Sequence, residues 1–120
     1  MTYHAAVWVD HAQAKIFHIN RDGFQETVLH APSRHRERGS AQMEHFFHDI
    51  VKEVSDAKEI LVVGPGSAKL ELVRHVHKHD KNLEPCIIGV ESADHPTDGQ
   101  LAKHIRQYFI EKDPLLGGKR

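Results

Sequence analysis

The segment ILVVGPGSAK, residues 60–69, contains a short apolar strand, a turn and the start of a helix. Ile60 to Val63 is an apolar run rich in β-branched residues, which is typical of a buried strand. Gly64-Pro65-Gly66 then predicts a tight turn, and Ser67 belongs to the residue types that cap helices. A strand that leads through a short turn into a helix is the first part of a parallel β-α-β unit. The segment therefore predicts that this half of the chain builds parallel strands.

The residues that follow continue this pattern. The predicted buried face of the helix after Ser67 consists of Leu70, Val73 and Val76. Pro85 precedes an apolar run at 86–90, which predicts another strand. Thr97 and Gln100 have the spacing of a capping box and predict the start of a last helix. The predicted buried face of that helix consists of Leu101, Ile105, Tyr108 and Phe109.

The residues before Ile60 predict three antiparallel strands and one helix. Strand-like runs at 5–10, 14–19 and 24–30 are separated by turn signals at 10–13 and 20–23. Ser40 then has the residue type and position of a helix cap. The apolar residues after it follow the three-and-four spacing of one buried helix face, and they are Met43, Phe46, Phe47, Ile50, Val51 and Val54.

The complete order, β-β-β-α-β-α-β-α, predicts an α/β fold of the ribonuclease-H-like plan. Its five-stranded mixed sheet would carry three helices, and its later strands would pair in parallel through right-handed crossovers. No linker or repeat divides the sequence, so residues 1–120 are expected to form a single domain. The predicted core consists of Val7, Val9, Ile16, Phe46, Ile50, Val62, Val73, Ile88 and Ile105.

Composition excludes several classes of protein. The chain has 120 residues, of which 39% are hydrophobic and 28% charged, a balance typical of globular rather than disordered proteins. No apolar run approaches the roughly 18 residues of a membrane span, and no export signal is visible, so a cytoplasmic location is expected. The net charge of −1 gives no overall bias towards polyanions. The single cysteine, Cys86, is expected to be a buried strand residue.

Three segments resemble the central domain of the archaeal and eukaryotic class-1 peptide-release factors and of Pelota, the ribosome-rescue protein. The segment VWVDHAQAKIF, from Val7 to Phe17, is similar to that family's first hairpin. The basic segment RHRERGSAQ lies where the family carries its functional loop, and ILVVGPGSAK resembles its apolar strand and glycine turn. The resemblance extends roughly from Ala5 to Phe109, and it implies a translation-associated module like the small bacterial translational machinery proteins.

One departure from the release factors concerns the mechanism. Their basic loop carries Gly-Gly-Gln, which positions a water on peptidyl-tRNA, whereas this chain has Arg38-Gly39-Ser40. Asp98-Gly99-Gln100 shares its last two residues with Gly-Gly-Gln, but it lies at the start of the last helix, where a structural role is expected. The missing tripeptide implies no peptide-release activity. Pelota proteins also commonly lack it, so the resemblance makes Pelota the nearer analogue. We expect no catalytic residue and no cofactor.

The densest positive charge of the chain lies at residues 32–40, which have no apolar residue to bury and are expected to form an exposed loop, here called the basic loop. We expect Arg34, His35, Arg36 and Arg38, together with Lys69, to contact RNA. A second candidate is an anion-binding turn formed by Gly64, Gly66 and Ser67, because free N–H groups and the dipole of a helix attract phosphate. The expected partner is thus the ribosome or RNA, without membrane or DNA. A plain solvated loop and a plain tight turn are the alternative interpretations.

Two other functions remain open from the residues alone. A metal-dependent hydrolase or nuclease of this fold needs converging carboxylates, for which Asp10 and Glu44 are candidates, although Asp10 is also a turn starter. A protein-interaction module is the other possibility. His75 and His79 share a helix face but give only two ligands, so solvated histidines and no metal site are predicted there and at His45 and His48.

Overall fold

The computed structural model describes residues 4–20, 23–32 and 41–112. Over these residues the elements follow the predicted order, with a short 3₁₀ turn at Glu84–Cys86 before the last strand. The strands are β1 (His4–Val9), β2 (Gln13–Asn20), β3 (Gly23–His30), β4 (Glu59–Gly64) and β5 (Ile87–Ser92). The helices are α1 (Ala41–Val54), α2 (Ala68–His79) and α3 (Asp98–Lys112). The predicted α/β class is confirmed.

The five strands form one mixed sheet in the order β3-β2-β1-β4-β5. The first three strands pair antiparallel, as expected for consecutive hairpins. β4 pairs parallel with β1, and β5 pairs parallel with β4. Since β1, β4 and β5 point the same way, all three end at one edge of the sheet, which we call the carboxyl edge.

Helices cover both faces of the sheet, which explains why every residue of β1 is buried. Alternate residues of β1 and β4 serve opposite faces. On the first face, Val7 and Val62 pack with the apolar sides of α1 and α2. On the second, Trp8 and Leu61 pack with the apolar side of α3.

The predicted buried faces of α1 and α3 are confirmed. All six apolar residues predicted for α1 are buried, and so are Leu101, Ile105 and Phe109 of α3, with Tyr108 partly buried. The capping box of α3 is also formed. The Thr97 N–H donates to Gln100 Oε1 at 3.0 Å, and the Gln100 N–H donates to Thr97 Oγ1 at 3.1 Å.

The prediction for the buried face of α2 was partly wrong. Leu70 is 49% exposed and Val73 is only partly buried. The residues of α2 that are buried are Ala68, Lys69, Leu72, His75 and Val76. Val76 was predicted correctly, whereas Leu72 was missed, and a search for apolar residues could not include the lysine and the histidine that complete the helical spacing of this stripe.

Two predictions near β5 were wrong. Ile88, predicted as core, is 37% exposed. Ile60 pairs with Ile87 while the next residue, Leu61, pairs with Gly89, so Ile88 is an extra residue in the ladder. Such a bulged residue loses its place in the alternation of the strand. Cys86 lies in the 3₁₀ turn and is partly buried, rather than a buried strand residue.

Candidate nucleic-acid interface

The loops after β1, β4 and β5 meet at the carboxyl edge. The Ala93 N–H, just after β5, donates to the Gly64 carbonyl oxygen at the end of β4, at 3.1 Å. The Trp8 Nε1–H of β1 donates to the Asp94 carbonyl oxygen at 3.0 Å. These bonds tie the segment after β5 to the ends of β1 and β4. In sheets of parallel strands this edge is where ligands commonly bind.

The basic loop begins at the same edge. β3 is antiparallel to β2, and its last residue, His30, pairs with Gln13 at the start of β2. The Ala31 N–H then donates to the Ala12 carbonyl oxygen at 2.8 Å, in the turn that follows β1. The four predicted RNA contacts in the loop, Arg34, His35, Arg36 and Arg38, lie outside the described residues and stay predictions.

The two glycines of the β4–α2 turn have different structural roles. A Cβ on Gly64 would overlap the carbonyl group of Val9, because β1 and β4 approach closely at this point. Gly66 has a φ of 61°, in the left-handed region that favours glycine. Both glycines are therefore needed for the shape of the turn, whether or not an anion binds there.

Glu71 contacts Ser67, one of the three residues predicted to bind an anion. The Ser67 hydroxyl donates to Glu71 Oε2 at 3.0 Å. Ser67 occupies the predicted N-cap position of α2, but its side chain makes no capping hydrogen bond. His11 Nε2 lies 3.1 and 3.2 Å from the two oxygens of the same carboxylate. An incoming phosphate would therefore meet a carboxylate near the positive end of the α2 dipole. The anion-binding role of Gly64, Gly66 and Ser67 stays a prediction.

The Ser67, Glu71 and His11 contacts do not form a catalytic triad. In a triad the imidazole contacts the hydroxyl and removes its proton, while the carboxylate orients the imidazole. Here the carboxylate lies between the two other groups and binds both. Neither Glu71 nor His11 was singled out from the sequence, because their contact joins residues 60 positions apart.

Lys69 is 7% exposed, although it was predicted to reach RNA. Its ammonium group donates to the Gly66 carbonyl oxygen, within the β4–α2 turn. In this conformation the lysine stabilises the turn. Contact with a phosphate would require its side chain to leave this partner, and the predicted RNA contact stays a prediction.

The carboxylates considered for a nuclease are engaged in separate contacts. Asp10 Oδ1 accepts hydrogen bonds from the backbone N–H groups of Ala12 and Gln13, both at 2.8 Å, which confirms Asp10 as a turn starter. Glu44 contacts His75 on α2. In the part of the chain that the structure describes, Glu44 lies in a cluster of residues that could bind a metal ion, and Asp10 is not a member of that cluster. The pair of carboxylates that a nuclease needs is not assembled there.

The prediction of solvated histidines on α2 was wrong for His75. Its side chain is 5% exposed, and its Nδ1 lies 2.8 Å from Glu44 Oε1 on α1. His79, one turn later, is exposed, as are His45 and His48. The contribution of Glu44 was missed because the sequence does not show which turns of α1 and α2 face each other.

Among the helices of residues 4–20, 23–32 and 41–112, none is long and apolar enough to cross a membrane.

Sequence comparison relates this chain to Pelota proteins. No family model matches it. Pelota homologues from Methanococcus maripaludis strains C5 and C7 are 27% and 26% identical over 111 residues, which cover 88% of this chain. The chain spans only 32% of the length of these relatives.

Solved structures share the fold. The Pelota protein of Thermoplasma acidophilum matches with a TM-score of 0.65 and 22% identity, over 88% of this chain and 32% of its own. An archaeal translation termination factor, aRF1, matches with a TM-score of 0.58 and 17% identity, over 77% of this chain and 30% of its own. Dom34 of S. cerevisiae matches with a TM-score of 0.59 and 14% identity, over 98% of this chain and 34% of its own. It is described as a translation termination-like factor involved in RNA quality control pathways and interacting with Hbs1. The chain is thus homologous to archaeal Pelota, and its fold is that of the Pelota and aRF1 central domain.

Proposed function

We propose that residues 1–120 form one translation-associated module that acts in the cytoplasm and contacts ribosomal RNA or tRNA. The observation that carries this proposal is the joint match in sequence and fold to Pelota. A fold alone does not specify a function, but here a detectable sequence relationship accompanies it over most of the chain. These relatives therefore suggest a role in translation for this chain.

The point at which the described chain leads into the basic loop supports RNA as the ligand. The chain enters the loop beside Ala12, at the carboxyl edge, where the β4–α2 turn also lies. Arg34, Arg36 and Arg38 each carry a guanidinium group that can donate two parallel hydrogen bonds to a phosphate. Such contacts carry no base information, so we expect binding with little sequence preference.

We further propose that the module does not release peptide from peptidyl-tRNA. The sequence has Arg38-Gly39-Ser40 where release factors carry Gly-Gly-Gln, so nothing in that loop would position the attacking water. A release assay on programmed ribosomes, with a true release factor as the positive control, tests this. Turnover by this protein above background would contradict it.

The test of RNA contact is a binding titration at several salt concentrations. The test variant replaces Arg34, Arg36 and Arg38 with alanine. The control removes the same charge by replacing Lys52, Lys58 and Lys81, which are exposed at the opposite edge of the sheet, where α1 and α2 end and β4 begins.

We expect the arginine variant to bind more weakly and to lose about two to three units of the logarithmic salt slope. The lysine control should keep the wild-type slope. If the wild type does not bind RNA at low salt, or if both variants lose the same affinity, RNA contact through the loop is refuted. The alternative is then a protein-interaction module, for which the Dom34–Hbs1 interaction is a precedent.

A further inference from the structure

Three side chains with metal-binding atoms converge between α1 and α2. Glu44 Oε1 lies 2.8 Å from His75 Nδ1 and 3.7 Å from His79 Nε2. One ligand atom from each residue lies within 4.8 Å of the others. Ligands of a tetrahedral zinc ion are roughly 3.3–3.6 Å apart, given zinc–ligand bonds of about 2.0–2.2 Å. Small side-chain rotations would bring the three atoms to these separations.

The elements hold this arrangement in place before any ion binds. His75 and His79 are one helical turn apart and present their rings to the same side of α2, with ring centroids 4.7 Å apart. Burial of His75 against Phe47 fixes one ligand, at a ring distance of 5.9 Å. Glu44 and His79 are about half exposed, so an ion could reach them from solvent.

An open pocket continues from these ligands. It is lined by Glu44, His45, His48, His75, His79 and Asp80. His48 follows Glu44 by one turn and so lies on the same side of α1. Either a water or a histidine of the pocket could fill a fourth coordination position.

The donor set selects the kind of ion. Two imidazoles and one carboxylate suit Zn²⁺, whereas Mg²⁺ and Ca²⁺ prefer oxygen ligands. The spacing of His75 and His79 equals that of the two zinc ligands in the H-E-x-x-H helix of metallopeptidases. The residue after His75 is Val76 rather than glutamate, so that mechanism lacks its general base.

We propose that Glu44, His75 and His79 bind one Zn²⁺ ion, which links α1 to α2 and has its fourth coordination position on the side of the pocket. This site is independent of the proposed RNA contact. The sequence pointed to each of the three residues separately but not to their convergence, because Glu44 and His75 are 31 positions apart.

The test uses the untagged full chain, freed of metal with a chelator and titrated with Zn²⁺ by calorimetry. Co²⁺ is titrated in parallel, because its visible absorption reports the coordination geometry. The test variants are Glu44→Gln and His79→Ala, whose side chains are half exposed and whose loss should leave the fold intact. The control is His77→Ala, a 64% exposed histidine of the same helix that pairs with Glu84.

We expect the wild type and the His77→Ala variant to bind one Zn²⁺ with equal affinity. Each test variant should lose roughly 100-fold or more, since even changes to groups around a ligand cost about 10–100-fold. Circular dichroism confirms that each variant is folded. Absence of Zn²⁺ binding by the wild type would overturn the proposal. So would wild-type affinity in folded Glu44→Gln and His79→Ala variants.

Discussion

Replacing Gly64 with alanine tests the close approach of β1 and β4 at the carboxyl edge. A Cβ at this position would lie 3.3 Å from the Val9 carbonyl carbon and closer still to its oxygen. Favourable contacts between carbon atoms are about 3.5–4.0 Å long. The neighbouring atoms are backbone, so relief requires a strand to move rather than a side chain to rotate.

The expected cost follows from two opposing effects. Overpacking in a well-packed region costs about 1–3 kcal/mol, and a backbone obstacle places Gly64 near the upper end. Alanine also reduces the freedom of the unfolded chain, which offsets about 0.4–1 kcal/mol. We therefore expect Gly64→Ala to lower the free energy of unfolding by about 2 kcal/mol. For a domain of this size Tm should fall by roughly 6–12 °C.

Urea and thermal unfolding, followed by circular dichroism, measure this change against two matched variants. In Gly66→Ala the added methyl group meets no atom, but the residue must keep a φ of 61°, so the free energy of unfolding should fall by about 1–2 kcal/mol. Gly99→Ala lies in the first turn of α3 with open space around it, and it should be neutral or slightly stabilising. If Gly64→Ala unfolds at the same midpoint as Gly99→Ala, the close approach of the two strands is refuted.

Three further predictions concern stability. Phe46→Ala should lower the free energy of unfolding by about 3–5 kcal/mol, because Phe46 is 2% exposed. The edge-strand variant Val28→Ala should change it by no more than about 0.5 kcal/mol. Equal urea midpoints for the two variants would contradict this. Thr97→Ala removes half of the capping box and should cost about 1 kcal/mol in the same assay, a loss that a serine at this position should largely avoid. Burial, together with the negative charges of Glu91 and Glu59, raises the pKa of Tyr108 above its ordinary value of 10.0. The fold favours the protonated phenol, so its stabilising contribution is present below pH 10.0 and is lost as the pH rises through the raised pKa. Tyr108→Phe should flatten this alkaline loss of stability, and an identical pH profile would refute the assignment.

The elements with regular apolar patterns could be predicted from the sequence. The six apolar residues of α1 repeat at helical spacing, and all are buried. The capping box of α3 was recognisable because its two residues are near neighbours in the sequence. Local signals of this kind depend little on how the elements pack together.

The failures arose where packing between elements decides the outcome. On α2, Lys69 and His75 occupy buried positions because the Lys69 ammonium has a partner in the turn and His75 Nδ1 has one on α1. On β5, the bulge at Ile88 shifts the alternation, and its cause lies in the pairing with β4. The histidine–carboxylate contacts were missed for the same reason, since they join residues that are distant in sequence.

Sedimentation of ribosomes from an extract of the protein's own cells tests the proposed translation-associated role most directly. The wild-type chain should be found with the ribosomes at low salt and be released as the salt concentration rises, because phosphate contacts weaken with salt. The triple alanine variant of Arg34, Arg36 and Arg38 should remain in the supernatant, while the lysine control sediments with the ribosomes. A wild-type protein that stays in the supernatant at low salt would contradict the proposed role.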